Sequence, residues 1–168
     1  MPREASYREI LVHAHLQLRY KLMIWPIIEY ASTIWAPHLQ NEILKSESIQ
    51  CKSARFVLND YARLSSVTSM LQKLGWPTLE QRRNNSKIIM LYKIIHNVVH
   101  IDYSDVLIEK TNCTRGHSQR FHVPLTRINA YHYSFFPSAI RKWNILPDWI
   151  ISSPNIDLFI SNYYKHCS

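Results

Sequence analysis

The residues of this chain best suited to chemistry are cations and aromatic rings. Lys110, Arg115, Arg120, Arg127, Arg141 and Lys142 fall within residues 110–147, a stretch without Asp or Glu, and Phe121, Tyr131, Tyr133, Phe135, Phe136 and Trp143 are interleaved with them. A guanidinium neutralises a phosphate while an aromatic face stacks on an unpaired base, so this mixture points to a path for single-stranded or hybrid nucleic acid. Spacing divides the set. Phe135, Phe136 and Trp143 recur at helical intervals and read as a buried face. Arg115, Arg120 and Arg127 lie where no period is visible and are candidates for phosphate contact. Arg82, Arg83 and Lys87 form a second cluster at the start of a long helix, where cations oppose the helix dipole and an anionic partner would offset the cost. Pairing with Glu80 or with an acidic neighbouring helix is the alternative.

Other chemistries find little support. Two-metal nucleotidyl transfer needs carboxylates close enough to share two cations about 4 Å apart. The five Asp, at 60, 102, 105, 148 and 157, include no adjacent pair. Cys113, His117 and His122 are spaced like part of a zinc knuckle, but a structural zinc site takes four ligands and the other cysteines, Cys51 and Cys167, are remote in sequence. His13 and His15 have only Glu9 near them and read as a helix surface. Neither glycine flanks a serine as a nucleophile elbow requires. No metal, no cofactor and no catalytic residue are therefore expected.

The elements that position these residues are read as helices. The chain has 168 residues, 46% of them apolar, with five Trp, which suffices for a sizeable core. Only Gly75 and Gly116 are available for positive-φ turns, so tight hairpins are disfavoured and an all-α fold is expected. Pro26 opens a buried helix over about 26–35, with Ile27, Ala31 and Ile34 on its inner face. Asn41 is the expected cap of an amphipathic helix striped by Leu44, Cys51, Ala54 and Leu58. Ser65 or Ser66 starts the next, with Val67, Leu71 and Leu74 inward, Gly75 in the left-handed position and Pro77 beyond it. Thr78 and Gln81 form a capping box for a helix whose apolar centre, Ile88 to Val99, is the expected core. A long polar connection near residues 101–133, with short strands at most, leads to a helix bearing Phe136, Ala139, Ile140 and Trp143. A terminal helix after Ser153-Pro154 carries Ile156, Phe159, Ile160 and Tyr163. Residues 1–16 are a segment of uncertain structure, and 17–166 are expected to form a single helical domain.

The formal charge of +8 and pI of about 9.5 favour a polyanionic partner. Three widely spaced cysteines fit reduced thiols better than a disulfide framework. The apolar run at Leu22–Ile28 is too short to span a bilayer, and no secretory leader is visible, so a soluble intracellular protein is expected.

Several strings along the chain carry a more specific signal: Trp25 to His38 (WPIIEYASTIWAPH), Ser65 to Arg83 (SSVTSMLQKLGWPTLEQRR), Met90 to Ile94, Thr114 to His117, Ser134 to Pro137 and Ile140 to Pro147. In this order and at this spacing, roughly residues 17–163 resemble the C-terminal, post-palm region of reverse transcriptases from LINE-type, jockey-like non-LTR retrotransposons. The resemblance implies thumb and post-thumb helices that help hold an RNA template and a DNA primer, with Arg82, Arg83, Arg115 and Arg141 at matching positions. It also implies a non-catalytic piece, because the family's polymerase chemistry belongs to a palm that precedes this region. Trp25 stands where the family usually has Arg, Ala36 where Asp is common, and Cys51-Lys52 where paired Arg is common. The missing palm, or another protein chain, is a second implied partner. A decayed, transposon-derived interaction module without nucleic-acid function is the alternative reading.

Overall fold

In the computed structural model, residues 7–110 and 117–167 are described. They are helical, and contain no strand beyond a single antiparallel bridge between Glu109 and Phe121. The helices are α1 (Tyr7–Arg19), α2 (Trp25–Glu29), α3 (Ser32–Trp35), α4 (Gln40–Leu58), α5 (Val67–Leu74), α6 (Leu79–Ile95), α7 (Asn129–His132), α8 (Phe135–Trp143), α9 (Asp148–Ile151) and α10 (Ile156–Cys167). One π-helical turn, Tyr20–Ile24, joins α1 to α2 and is closed by the Trp25 N–H on the Tyr20 carbonyl. The chain forms two compact units, divided inside α6 between Arg83 and Asn84. The first comprises the residues up to Ser32 and Pro37–Arg83; the second comprises Thr33–Ala36 and the chain from Asn84 onward.

The first unit is built on Tyr20, Ala54, Val57, Met70 and Trp76, all buried. Tyr20 stacks on Trp76 with ring centres 4.2 Å apart, and Trp25 meets both rings edge-on. Local sequence dictates the helix ends here. α4 stops where Asn59 turns left-handed at φ 49°, and α5 stops at Gly75, φ 64°. A Cβ at Gly75 would meet nothing within 4 Å, so the glycine is required by its dihedral angle alone. Thr78 and Gln81 make the reciprocal pair expected of them. The Gln81 N–H donates to Thr78 Oγ1 and the Thr78 N–H to Gln81 Oε1, both at 3.2 Å. Gln50, wholly buried on α4, donates to the Pro77 carbonyl at 2.9 Å and ties α4 to this turn.

The expected buried helix over residues 26–35 is not formed. Ala31 takes φ 50° and splits the segment into α2 and α3. Ile27 and Ile34, assigned to its inner face, are 75% and 79% exposed. Periodicity placed the apolar residues on a common face but carries no information on whether anything covers that face. Two smaller differences concern α4. It begins after Leu39 rather than after an Asn41 cap, and Leu44 of the proposed stripe is exposed.

The core of the second unit gathers Ile88, Leu91, Tyr92 and Ile94 of α6, Ala139, Ile140 and Trp143 of α8, Ile150 and Ile151 of α9, and Phe159 and Tyr163 of α10. The expected apolar centre, Ile88 to Val99, packs into this core only as far as Ile95, where α6 ends; Asn97 turns left-handed at φ 54° and Val98 is 58% exposed. Tyr92 stacks on Phe159 at 4.1 Å, and its hydroxyl donates to the Ser153 carbonyl at 2.9 Å. α10 begins at Ile156 with Asn155 as its cap, whose Oδ1 accepts the Leu158 N–H at 2.9 Å, and the expected inward residues Phe159 and Tyr163 are buried.

Candidate nucleic-acid interface

The cations singled out from the sequence fall into different environments. In the first unit, the Arg82 guanidinium lies 3.3 Å over the centre of the Trp25 ring and pairs with Glu29. The fork of one arginine thus uses its planar face and its edge together. Burial pushes the Glu29 carboxyl above its ordinary range, against the opposing pull of Arg82 and Arg83. Arg83 is only 4% exposed. Burial pushes its pKa down, and the carboxylates of Glu47, Glu29 and Glu80 push it back up, so the charge is balanced from within the unit. For Arg82 and Arg83 this is the acidic-neighbour alternative that the sequence left open; it does not extend to Lys87, the third member of that cluster.

In the second unit, Lys87 is likewise buried, at 5% exposure. Its ammonium donates to the Tyr133 carbonyl and the Ser138 hydroxyl, both at 3.4 Å. Arg141, half-buried on α8, donates to the His132 carbonyl at 2.6 Å. Lys87 and Arg141 therefore grip adjacent carbonyls at the α7–α8 corner. Desolvation holds the Lys87 pKa below its ordinary value, and the positive charges of Lys142 and Arg141 lower it further.

The polar connection is fastened to α8 by side chains. Asn144 receives the Phe121 N–H on Oδ1 at 3.1 Å and returns an Nδ2 donor to the Phe121 carbonyl at 2.8 Å, copying the pairing of a neighbouring strand. Trp143 Nε1 donates to the Gln119 carbonyl at 2.9 Å, and His117 Nε2 lies 3.1 Å from the Trp143 carbonyl. That acceptor fixes the neutral imidazole with its proton on Nε2. Burial keeps the His117 pKa low, and nearby Arg120 acts the same way. The backbone bridge adds Lys110 N–H to the Arg120 carbonyl and His122 N–H to the Ile108 carbonyl, each 2.8 Å. Nothing in the residue spacing announced Asn144 as the anchor; the only signal was an amide side chain immediately after the apolar stripe of α8.

This anchoring presents part of the basic stretch to solvent. Arg127 is exposed, as are Tyr131 and Tyr133 at 42% and 47%, while Arg120 is half-buried. Arg120 Nε has no hydrogen-bond partner among the described residues. Phe135 and Phe136 are half-buried and Trp143 is fully buried, so the helical stripe is core as its spacing suggested. Arg115, together with Cys113, lies outside the described residues.

Among the described residues no three His, Cys, Asp or Glu side chains are grouped so as to hold a metal ion. No described helix is long and apolar enough to cross a membrane. No family model, no curated protein and no solved structure matches the chain.

Proposed function

We propose that this chain is a post-palm piece of a LINE-type retrotransposon reverse transcriptase, non-catalytic by itself, whose second unit holds an RNA template or DNA primer. The observation that supports the reading is that the carboxylate-free stretch leaves Arg127, Tyr131 and Tyr133 exposed and Arg120 half-buried. Exposed rings and exposed cations in a stretch that holds no carboxylate suit base stacking with phosphate contact. Arg83, buried among carboxylates, contributes to the fold of the first unit rather than to this surface.

The test is fluorescence anisotropy with an RNA–DNA hybrid and with single-stranded RNA across a salt series. Binding should weaken steeply with salt, and replacing Arg115, Arg120 and Arg127 with Ala should reduce the log–log slope by about one unit for each phosphate no longer neutralised. Helical circular dichroism should be unchanged. No binding at low salt would sink the reading; equal affinity of the triple variant would move the surface elsewhere.

A second reading is favoured by a different observation. In the first unit Leu11, Leu22, Met23, Ile27 and Tyr30 are each between 66% and 78% exposed. Exposed large apolar side chains in such number suit an interaction module that buries them against another chain, such as a polymerase palm. A monodisperse monomer at tens of micromolar in sedimentation velocity argues against that reading.

A further inference from the structure

Lys87 and Arg83 lie one helical turn apart on α6 and are nearly equally buried, yet their electrostatic surroundings are opposite. Three carboxylates act on Arg83. The charges that act on Lys87 are Lys142 and Arg141, both positive. The positions one turn from Lys87 on its own helix are Arg83, Asn84, Met90 and Leu91, none of them a carboxylate; Glu80, the one carboxylate of α6, lies seven residues away in its first turn, and α8 belongs to a stretch that has none. Among the described residues the Lys87 ammonium has two neutral acceptors, each at 3.4 Å, longer than the usual 2.7–3.2 Å or so of such bonds. One of them, Ser138 Oγ, belongs to the first turns of α8, whose N-terminal dipole adds more positive potential. A nearly dehydrated ammonium in an all-positive environment is unfavourable unless an anion completes it.

We propose that Lys87, Arg141 and Lys142, together with the Ser138 hydroxyl, form a seat for one phosphate group at the α7–α8 corner. The phosphate oxygens accept from Lys87 Nζ and from Ser138 Oγ, whose long mutual contact opens to admit them. Arg141 keeps its bond to the His132 carbonyl and supplies charge alongside Lys142. As the seat for a strand's backbone phosphate this deepens the nucleic-acid reading and rests on it; as an oxyanion site it depends on neither Arg120 nor Arg127.

The experiment follows the thermal midpoint of the full chain in sodium phosphate and in sodium chloride at equal ionic strength. At ten times the dissociation constant, phosphate should raise the midpoint by about 3–6 °C and chloride should not. Lys87→Met, which keeps the stem and removes the charge, should lose that response. A midpoint indifferent to phosphate, or Lys87→Met responding like the parent, overturns the seat. If Lys87→Met does not fold, Lys142→Gln serves instead: affinity for phosphate about ten-fold weaker is expected from the missing charge, and unchanged affinity overturns the seat. An Arg120→Ala, Arg127→Ala variant should keep the phosphate response while binding the hybrid less tightly, which separates failure of the seat from failure of the surface. An abasic oligodeoxynucleotide replaces inorganic phosphate in a last arm. Stabilisation by both ligands supports a strand's backbone as the occupant, and stabilisation by inorganic phosphate alone overturns that assignment in favour of free phosphate.

Discussion

Replacing Arg82 by Ala should destabilise the first unit in a manner that depends on pH. The substitution removes a guanidinium lying 3.3 Å over the Trp25 ring and leaves Glu29, 21% exposed in its side chain, without its ion-pair partner. Breaking a fully buried pair costs about 3–5 kcal/mol; partial exposure and the remaining pull of Arg83 reduce that here to about 1–2 kcal/mol. Removing the cation from the Trp25 face contributes about 1 kcal/mol more, for a total of about 2–3 kcal/mol near neutral pH. Glu29 already titrates above its ordinary range because of burial, and removal of Arg82 moves it higher. A carboxyl whose folded pKa exceeds its unfolded value supports the fold below the unfolded pKa, and that support is lost as pH rises through the folded pKa. The deficit of the variant should therefore be smaller at about pH 5 than at about pH 7.5, as Glu29 takes up a proton in the fold. Arg82→Lys should fall between the two, keeping charge without the stacked plane. Urea unfolding followed by tryptophan fluorescence at both pH values measures these differences. A deficit below about 0.5 kcal/mol, or one identical at the two pH values, would refute the reasoning.

Two further outcomes test the local geometry. Thr78→Ala removes the hydroxyl that accepts the Gln81 N–H and should cost about 1 kcal/mol in chemical denaturation, with α-helical content otherwise retained. Asn144→Ala strips both partners from the Phe121 backbone; a destabilisation of about 2 kcal/mol is expected, with faster amide hydrogen exchange at Phe121 and His122 and little change in α10.

The sequence made some of these features legible and concealed others, for identifiable reasons. The end of α5 and the start of α6 could be read directly because Gly75, Thr78 and Gln81 act on backbone within a few residues of themselves, where local chemistry decides; Ser66 stands at the start of α5 in extended conformation but its side chain makes no capping hydrogen bond. The apolar centre of α6 and the stripes of α8 and α10 were equally clear, since each buries one periodic face. The Trp25–His38 segment misled because Ala31, at φ 50°, holds a conformation that its side chain does not advertise. The partners of Arg83 were not visible either: its carboxylates come from Glu29 and Glu47, distant in sequence, as well as from nearby Glu80. The anchoring of Phe121 by Asn144 spans 23 residues and leaves no spacing signature. Type and periodicity thus foretold which faces are apolar, whereas tertiary pairing determined which cations remain open to solvent.

The π-helical turn at Tyr20–Ile24 bears on how this chain tolerates insertion and deletion. Its i to i+5 hydrogen bond takes up one residue more than an α-helical turn would. Since each residue of an α-helix advances about 100°, removing one residue from this turn would preserve helical hydrogen bonding yet rotate all of α1 by roughly that angle. Leu16, packed against the Tyr20–Trp76 cluster, and Gln17, whose amide donates to the Leu74 carbonyl at 3.1 Å, would then face away from their partners. The extra residue acts as a phase setting between two helical segments, and related chains that keep the Tyr20 stack would be expected to keep their length across this turn.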